Sequence, residues 1–205
     1  MFVVIEGGEC SGKSTLIHLL KLQYTNAIYT RGLGGSKVGE KIRDILMTPN
    51  LDLPEDSKVH FIGASLKSTY NDIIMPNKDN QLVIVDRWIP SFFAYQNARE
   101  NNAANAYYKQ YFDYLKGLIR PDYTFYLEAS IDVVSERLKK KHSLDQTDNL
   151  DNYYIGNSER IISDYQYFRE HYESPDKFSL IRTDELTIDE TVSLVDQKIR
   201  SFTTL

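Results

Sequence analysis

The stretch from Phe2 to Thr15, FVVIEGGECSGKST, constrains this chain more than any other. A short apolar run, Phe2-Val3-Val4-Ile5, breaks into glycine and an acidic residue, and Lys13-Ser14-Thr15 then leads into Leu16-Ile17-His18-Leu19-Leu20. That order predicts a buried strand, a tight loop and a helix start. Gly7, Gly12, Lys13 and Ser14 satisfy G-x-x-x-x-G-K-[ST]. The backbone amides of such a loop cradle phosphates, its lysine reaches the β and γ phosphates, and its hydroxyl ligates Mg²⁺. So short a pattern gains its meaning from the strand before it and the helix after it. The expected phosphate site therefore runs through Gly7, Gly8, Glu9, Cys10, Ser11, Gly12, Lys13, Ser14 and Thr15.

Charge and length narrow the partners. A chain of 205 residues, 41% hydrophobic and 26% charged, suits one domain, read as residues 1–205, with a flap at about 137–152. The net charge of -5 argues against a nonspecific nucleic-acid binder, which draws on a basic excess, but not against a nucleotide as ligand. The one cysteine, Cys10, falls inside the phosphate loop and has no partner for a disulfide within the chain, which suits a reducing compartment. No apolar run approaches the roughly 18 residues of a membrane span, and the first residues already read as a strand. The expectation is a cytoplasmic protein with no membrane partner.

Downstream, strands and helices alternate. After a helix to about Gln23, strands are expected at Ala27–Thr30, Gln81–Arg87, Tyr123–Glu128 and Lys177–Arg182. Helices are expected at Lys37–Met47, from Asp56 to Ile74 with Pro76 closing it, from Ser91 as cap to about Arg99, and at Ala103–Leu118. Further helices are expected at Ile131 to about Lys141, about Tyr153 to Tyr172, and Ile188–Phe202. His142 to Asn152 is polar and without helical period, and reads as the flap. The alternation implies an α/β protein with a five-stranded parallel sheet covered on both faces, binding ligands at the carboxyl ends of its strands.

In such a sheet the loops after the first three strands meet on one rim, which gathers Glu9, Lys13, Ser14, Arg31, Asp86 and Arg87. Asp86 ends a strand expected beside the phosphate-loop strand, where a carboxylate holds Mg²⁺ directly or through water; the alternative is a carboxylate that caps the next turn. Arg31 and Arg87 suit a second phosphate group, since guanidinium forks pair with phosphate oxygens, and the alternative is surface ion pairing. The combination points to a donor phosphate chain facing an acceptor monophosphate. The basic run Arg137, Lys139, Lys140, Lys141 reads either as a catalytic flap or as a solvated helix end.

Several motifs in order resemble the thymidylate kinase family over nearly the whole chain. Thr30-Arg31 with Gly34-Gly35, and Gly39 to Leu46 after it, are similar to the family's T-R-E-P-G-G segment and its helix. Asp86-Arg87-Trp88, Ser91 and Ala94-Tyr95-Gln96 resemble its D-R-[YFH]-x-x-S-x-x-A-Y-Q signature, and Arg120-Pro121-Asp122 is also familiar. The resemblance implies a three-layer P-loop NTPase fold with a short lid, a homodimer, and transfer of the γ-phosphoryl of ATP to a deoxynucleoside monophosphate, dTMP first. It also implies roles: Lys13 and the loop amides for the donor, Ser14 and Asp86 for Mg²⁺, Arg31 and Arg87 for the acceptor phosphate. Glu9 matches the residue near the sugar 3'-hydroxyl, and Tyr95 the one that crowds the 2' position. Lys141, with Arg137 and Lys139 nearby, would bring positive charge over the transferring phosphoryl.

The departures lie where the base should sit. Gly32-Leu33 replaces Glu-Pro, Ile62 stands for a stacking phenylalanine, Leu66 for a base-contacting arginine, and Phe92 for a polar residue after Ser91. Asp148-Asn149 replaces the flap's D-R pair. A kinase for another or base-modified deoxynucleotide, and a non-catalytic nucleotide binder of kinase ancestry, stand as the alternatives.

Overall fold

The apolar run at the start of the chain becomes the central strand of the sheet. The computed structural model describes residues 1–49, 51–96, 103–118, 120–142 and 149–203. In chain order these form β1 (Phe2–Glu6), α1 (Lys13–Gln23), β2 (Ile28–Arg31), α2 (Lys37–Leu46), α3 (Glu55–Thr69), a π-helical turn (Tyr70–Ile74) and α4 (Met75–Asn77). There follow β3 (Val83–Asp86), α5 (Ile89–Tyr95), α6 (Ala103–Leu118), β4 (Tyr123–Glu128), α7 (Ile131–His142), α8 (Asn149–Tyr172), a 3₁₀ turn (Pro175–Lys177), β5 (Phe178–Arg182) and α9 (Ile188–Thr203). The five strands are parallel, in the order β2-β3-β1-β4-β5. The expected α/β sheet flanked by helices is therefore observed.

Strand side chains alternate between two cores, as the period of two dictates. Phe2, Val4, Val83 and Val85 pack against Val59 and Leu66 of α3, Phe93 of α5, Phe112 of α6 and Phe168 of α8. Val3, Ile5 and Ile84 face the other way, onto Leu16 and Leu20 of α1 and Val195 and Ile199 of α9. The connection after β1 thus leaves on one face and the connection after its neighbour β3 on the other. That divergence opens a crevice at the carboxyl ends of adjacent strands, where α/β sheets bind ligands. Register aligns the rim: Asp86 lies opposite Ile5 on one side and Arg31 on the other.

Several elements differ from expectation. The helix expected to end before Pro76 runs on to Asn77 through the π-helical turn at Tyr70–Ile74. The wider turn shifts the carbonyls that a proline ring would otherwise strike. Ser91 does not cap α5. The helix starts at Ile89 after Trp88, with Pro90 in its first turn, and ends at Tyr95; residues 97–102 of the expected helix lie outside the described residues. Helical structure extends from Asn149, so the expected loop is shorter than His142 to Asn152, and residues 143–148 of it lie outside the described residues.

Candidate active site

The phosphate loop wraps tightly because Gly7 and Gly12 take backbone angles that side chains resist. Gly7 has φ +143°, and a Cβ there would stand 2.2 Å from the Leu127 carbonyl oxygen; Gly12, with φ +95°, opens α1. Lys13 is only 6% exposed, and its ammonium donates to Gly7 O at 3.0 Å and Gly8 O at 2.6 Å. Burial, and next the positive charge of Arg87, push its pKa down to about 8, against the opposing pull of Glu9, Asp86 and Glu6. Ser14 and Thr15, at the start of α1, are exposed toward the cleft.

A second loop rises from β3. Arg87 sits in the left-handed region, φ 61°, a conformation that non-glycine residues adopt mainly where the surroundings fix it. Its Nη1 donates to Gly7 O at 2.8 Å, Ser91 Oγ at 3.4 Å and the Tyr165 hydroxyl at 3.3 Å, while Nη2 pairs with Glu9 Oε1. The Tyr95 hydroxyl reaches the same Glu9 oxygen at 3.1 Å, and its ring lies 5.1 Å from the guanidinium. Burial alone would raise the Glu9 carboxyl, but Arg87 and Lys13 beside it hold it below its ordinary value. Arg31 closes the rim from β2, exposed, with Nε donating to Gly34 O at 3.2 Å.

These loops border one cavity of about 1250 Å³. A pocket for one drug-sized ligand spans about 300–1,000 Å³, so this cleft exceeds the room a single small molecule needs. One end holds Lys13, Ser14, Arg137 and Thr183; the other runs past Arg31, Arg87 and Tyr95 to Leu33, Ile62, Leu66 and Phe92. Arg137 reaches the phosphate loop itself, donating to Cys10 O at 3.0 Å and Thr183 O at 2.9 Å. Lys141, one helical turn along α7, also lines the cavity, whereas Lys139 and Lys140 are exposed on α7 outside its lining. The basic run therefore divides by helical face.

The Asp86 Oδ1 atom is buried and has no hydrogen-bond partner among the described residues. Such an atom asks for a ligand, and a carboxylate that lines the same cleft as the Ser14 hydroxyl suits a hard cation that keeps water and substrate oxygens in its shell. No cluster of three or more His, Cys, Asp or Glu that could hold a metal ion exists among the described residues. That Asp86 oxygen caps no turn among the described residues.

Sequence reasoning assigned no role to Glu6, Tyr165 or Thr183. Glu6 is 0% exposed, a carboxylate at the end of an apolar strand, and burial raises its pKa despite a hydrogen bond from Ser91 and the charge of Arg87. That charge in an apolar run was the available signal. Tyr165 and Thr183 carried none. At the base end, Leu66 is 2% exposed and, with Ile62, Phe92 and Trp88, gives the cleft an apolar floor, to which Gln96 at the end of α5 adds a polar lining residue. Asp148 lies outside the described residues.

The profile of the family described as thymidylate kinase matches residues 5–183. The thymidylate kinase of Acholeplasma laidlawii is 36% identical over 162 residues, 74% of this chain and 76% of that protein. That of Malacoplasma penetrans is 33% identical over 196 residues, 91% and 88%. The crystal structure of thymidylate kinase from Ehrlichia chaffeensis shares the fold, with TM-score 0.68 at 24% identity over 98% of both chains.

Proposed function

The chain belongs to the thymidylate kinase family, and from that premise we propose that it transfers the γ-phosphoryl of ATP to dTMP, yielding dTDP and ADP. One observation carries the reading for this chain. A single cleft holds a phosphate loop and, on the adjacent strand, an arginine already engaged with an anionic group, with space for two ligands.

In the reaction an oxygen of the dTMP phosphate attacks the γ-phosphorus of ATP, the bond to the β-bridging oxygen breaks, and ADP leaves. Such transfer relies on positioning and on neutralising charge rather than on covalent chemistry by the protein. Lys13 and the amides of Gly7 to Thr15 hold the donor chain. Arg87 and Arg31 receive the acceptor phosphate: an entering phosphate takes over the Arg87 Nη2 that Glu9 occupies, freeing Glu9 and Tyr95 for the sugar. Arg137 and Lys141, four residues apart on α7, bring cationic charge to the side of the cleft where the phosphoryl passes. Ser14 and Asp86 would hold Mg²⁺, which supplies charge neutralisation between the phosphates. The reading extends to a homodimer with a lid at about 137–152, as the resemblance implies, and to the cytoplasm, which the lone cysteine suits. Among the described residues no helix is long and apolar enough to cross a membrane.

The apolar base end favours a second reading, in which another or a base-modified deoxynucleoside monophosphate is the preferred acceptor. An apolar floor reads a base through shape, and weakly, and leaves recognition of its polar edge to lining residues such as Gln96. A non-catalytic binder fits less well, because Lys13, Asp86, Arg31 and Arg87 all border the cleft. Product analysis tests the proposal: incubation with Mg²⁺-ATP and dTMP should give ADP and dTDP in equal amounts. ADP with inorganic phosphate and no dTDP would mean hydrolysis instead.

A further inference from the structure

Glu6 is a fully buried carboxylate that the phosphoryl-transfer account does not use. Its Oε1 accepts the backbone N–H of Trp88 at 2.5 Å and of Ser91 at 3.2 Å. These are the cap and third positions of α5, and Pro90 between them has no N–H to offer. A side chain from another strand thus caps the helix that a local serine was expected to cap. Capping alone, however, does not require a charge, since a serine or threonine at the helix start provides it without burying one.

The other oxygen supplies the reason. Glu6 Oε2 accepts from Ser91 Oγ at 2.6 Å and from the Tyr165 hydroxyl at 3.1 Å, and the two hydroxyls lie 2.7 Å apart. The Arg87 guanidinium donates to both from the opposite side. A buried charge is stabilised by an opposite charge and full hydrogen bonding, and hydroxyls that accept on one side while donating on the other strengthen the link between them.

We propose that Glu6 is a positioning residue for Arg87: it fixes the left-handed turn at Arg87 by binding the N–H groups of Trp88 and Ser91, and it fixes the guanidinium through the hydroxyls of Ser91 and Tyr165. Tyr165, from α8, is the second member of this pair. Neither touches the acceptor; both set the direction from which Arg87 meets it. The inference rests on Arg87 being the acceptor-phosphate ligand.

Calorimetric dissociation constants for dTMP and for ATP decide the matter in Tyr165→Phe, which keeps the ring and removes the hydroxyl. The expected result is dTMP binding weaker by about tenfold, the order for losing a hydrogen bond to a charged group, with ATP binding changed by less than about twofold. The hydroxyl also lies 3.4 Å from Gly7 O, so ATP binding is the control for an effect through the phosphate loop, and repeating the substitution in an Arg87→Ala background should abolish the effect on dTMP if the hydroxyl reaches the acceptor through that side chain. Glu6→Gln, which keeps an acceptor for both N–H groups but puts an amide, itself a donor, where the two hydroxyls donate, should weaken dTMP in the same direction. Tyr165→Phe carries the decision whatever the fate of Glu6→Gln. Unchanged dTMP affinity, parallel weakening of ATP and dTMP, or an equal effect without Arg87 would each overturn the proposal. Wild-type protein that binds dTMP without turning it over would count against the functional reading and not against this one.

Discussion

Lys13 and Arg87 lie on adjacent strands' loops, and the charge of each is assigned to a different phosphate group. Lys13→Ala should therefore remove turnover with every acceptor, because the donor phosphates lose the ammonium placed among the loop carbonyls. Arg87→Ala should weaken acceptor binding and turnover by roughly 10- to 100-fold, as expected for lost charge-assisted bonds, while ATP affinity stays within about twofold. Separate titrations of ATP and dTMP check both; loss of ATP affinity with dTMP affinity kept would invert the assignment. At this scale the sequence was readable wherever function sits in contiguous segments. The loop from Gly7 to Thr15 and the run from Asp86 to Tyr95 carry their chemistry within a few residues of each other. The pairing of Glu6 with Tyr165 spans 159 positions, and Tyr165 stands at helical spacing among other aromatics, where core packing is the natural reading.

Elements were legible where pattern and punctuation agree, as in β4, where both ends coincide with expectation. They were misread where a distant group replaces a local signal. Ser91 precedes an apolar turn and has the chemistry of a cap, yet the buried Glu6 carboxylate already binds its N–H and its hydroxyl. The end of α3 was hidden because a π-helical turn leaves no mark in periodicity. A similar long-range anchor holds α7. Asp184, just after β5, accepts from Ser130 N at 2.8 Å beside the start of α7 and from Arg182 through Nε at 3.1 Å and Nη2 at 2.9 Å. The Arg182 bonds, foremost, hold the Asp184 carboxyl well below its ordinary value of 3.8. A depressed carboxyl stabilises the folded state above the unfolded value and loses that contribution as pH falls through the folded one. Asp184→Asn should therefore destabilise the protein at pH 7 by roughly 1 kcal/mol, a modest figure because solvent screens the pair. The difference from wild type should shrink as pH falls below 3.8, read by urea unfolding at stepped pH. An undiminished difference at pH 2 would show that packing, not the charge, anchors α7.

The sheet order is what turns two motifs into one site: β1 and β3 are neighbours although 76 residues lie between Glu6 and Val83, so the phosphate loop and Arg87 share a rim. The rim itself followed from strand alternation, whereas the strand order and the extent of the cleft needed the folded chain. A cleft with two distinct ligand places makes a thermodynamic prediction. ATP or dTMP alone at about 100 times its dissociation constant should each stabilise the fold by about 2.7 kcal/mol, and together the effects should add. Mutually exclusive ligands would together give only about 3.1 kcal/mol, against about 5.5 kcal/mol for two independent sites. The central claim, dTMP as the acceptor of a phosphoryl group from ATP, is tested most directly by a coupled phosphotransfer assay. Mg²⁺-ATP would be supplied with a panel of deoxy- and ribonucleoside monophosphates that includes base-modified pyrimidines. The account predicts the highest kcat/KM with dTMP and a marked preference for deoxyribose over ribose, with Tyr95 lining the acceptor side of the cleft. Silence across the panel by protein that still binds ATP would contradict it.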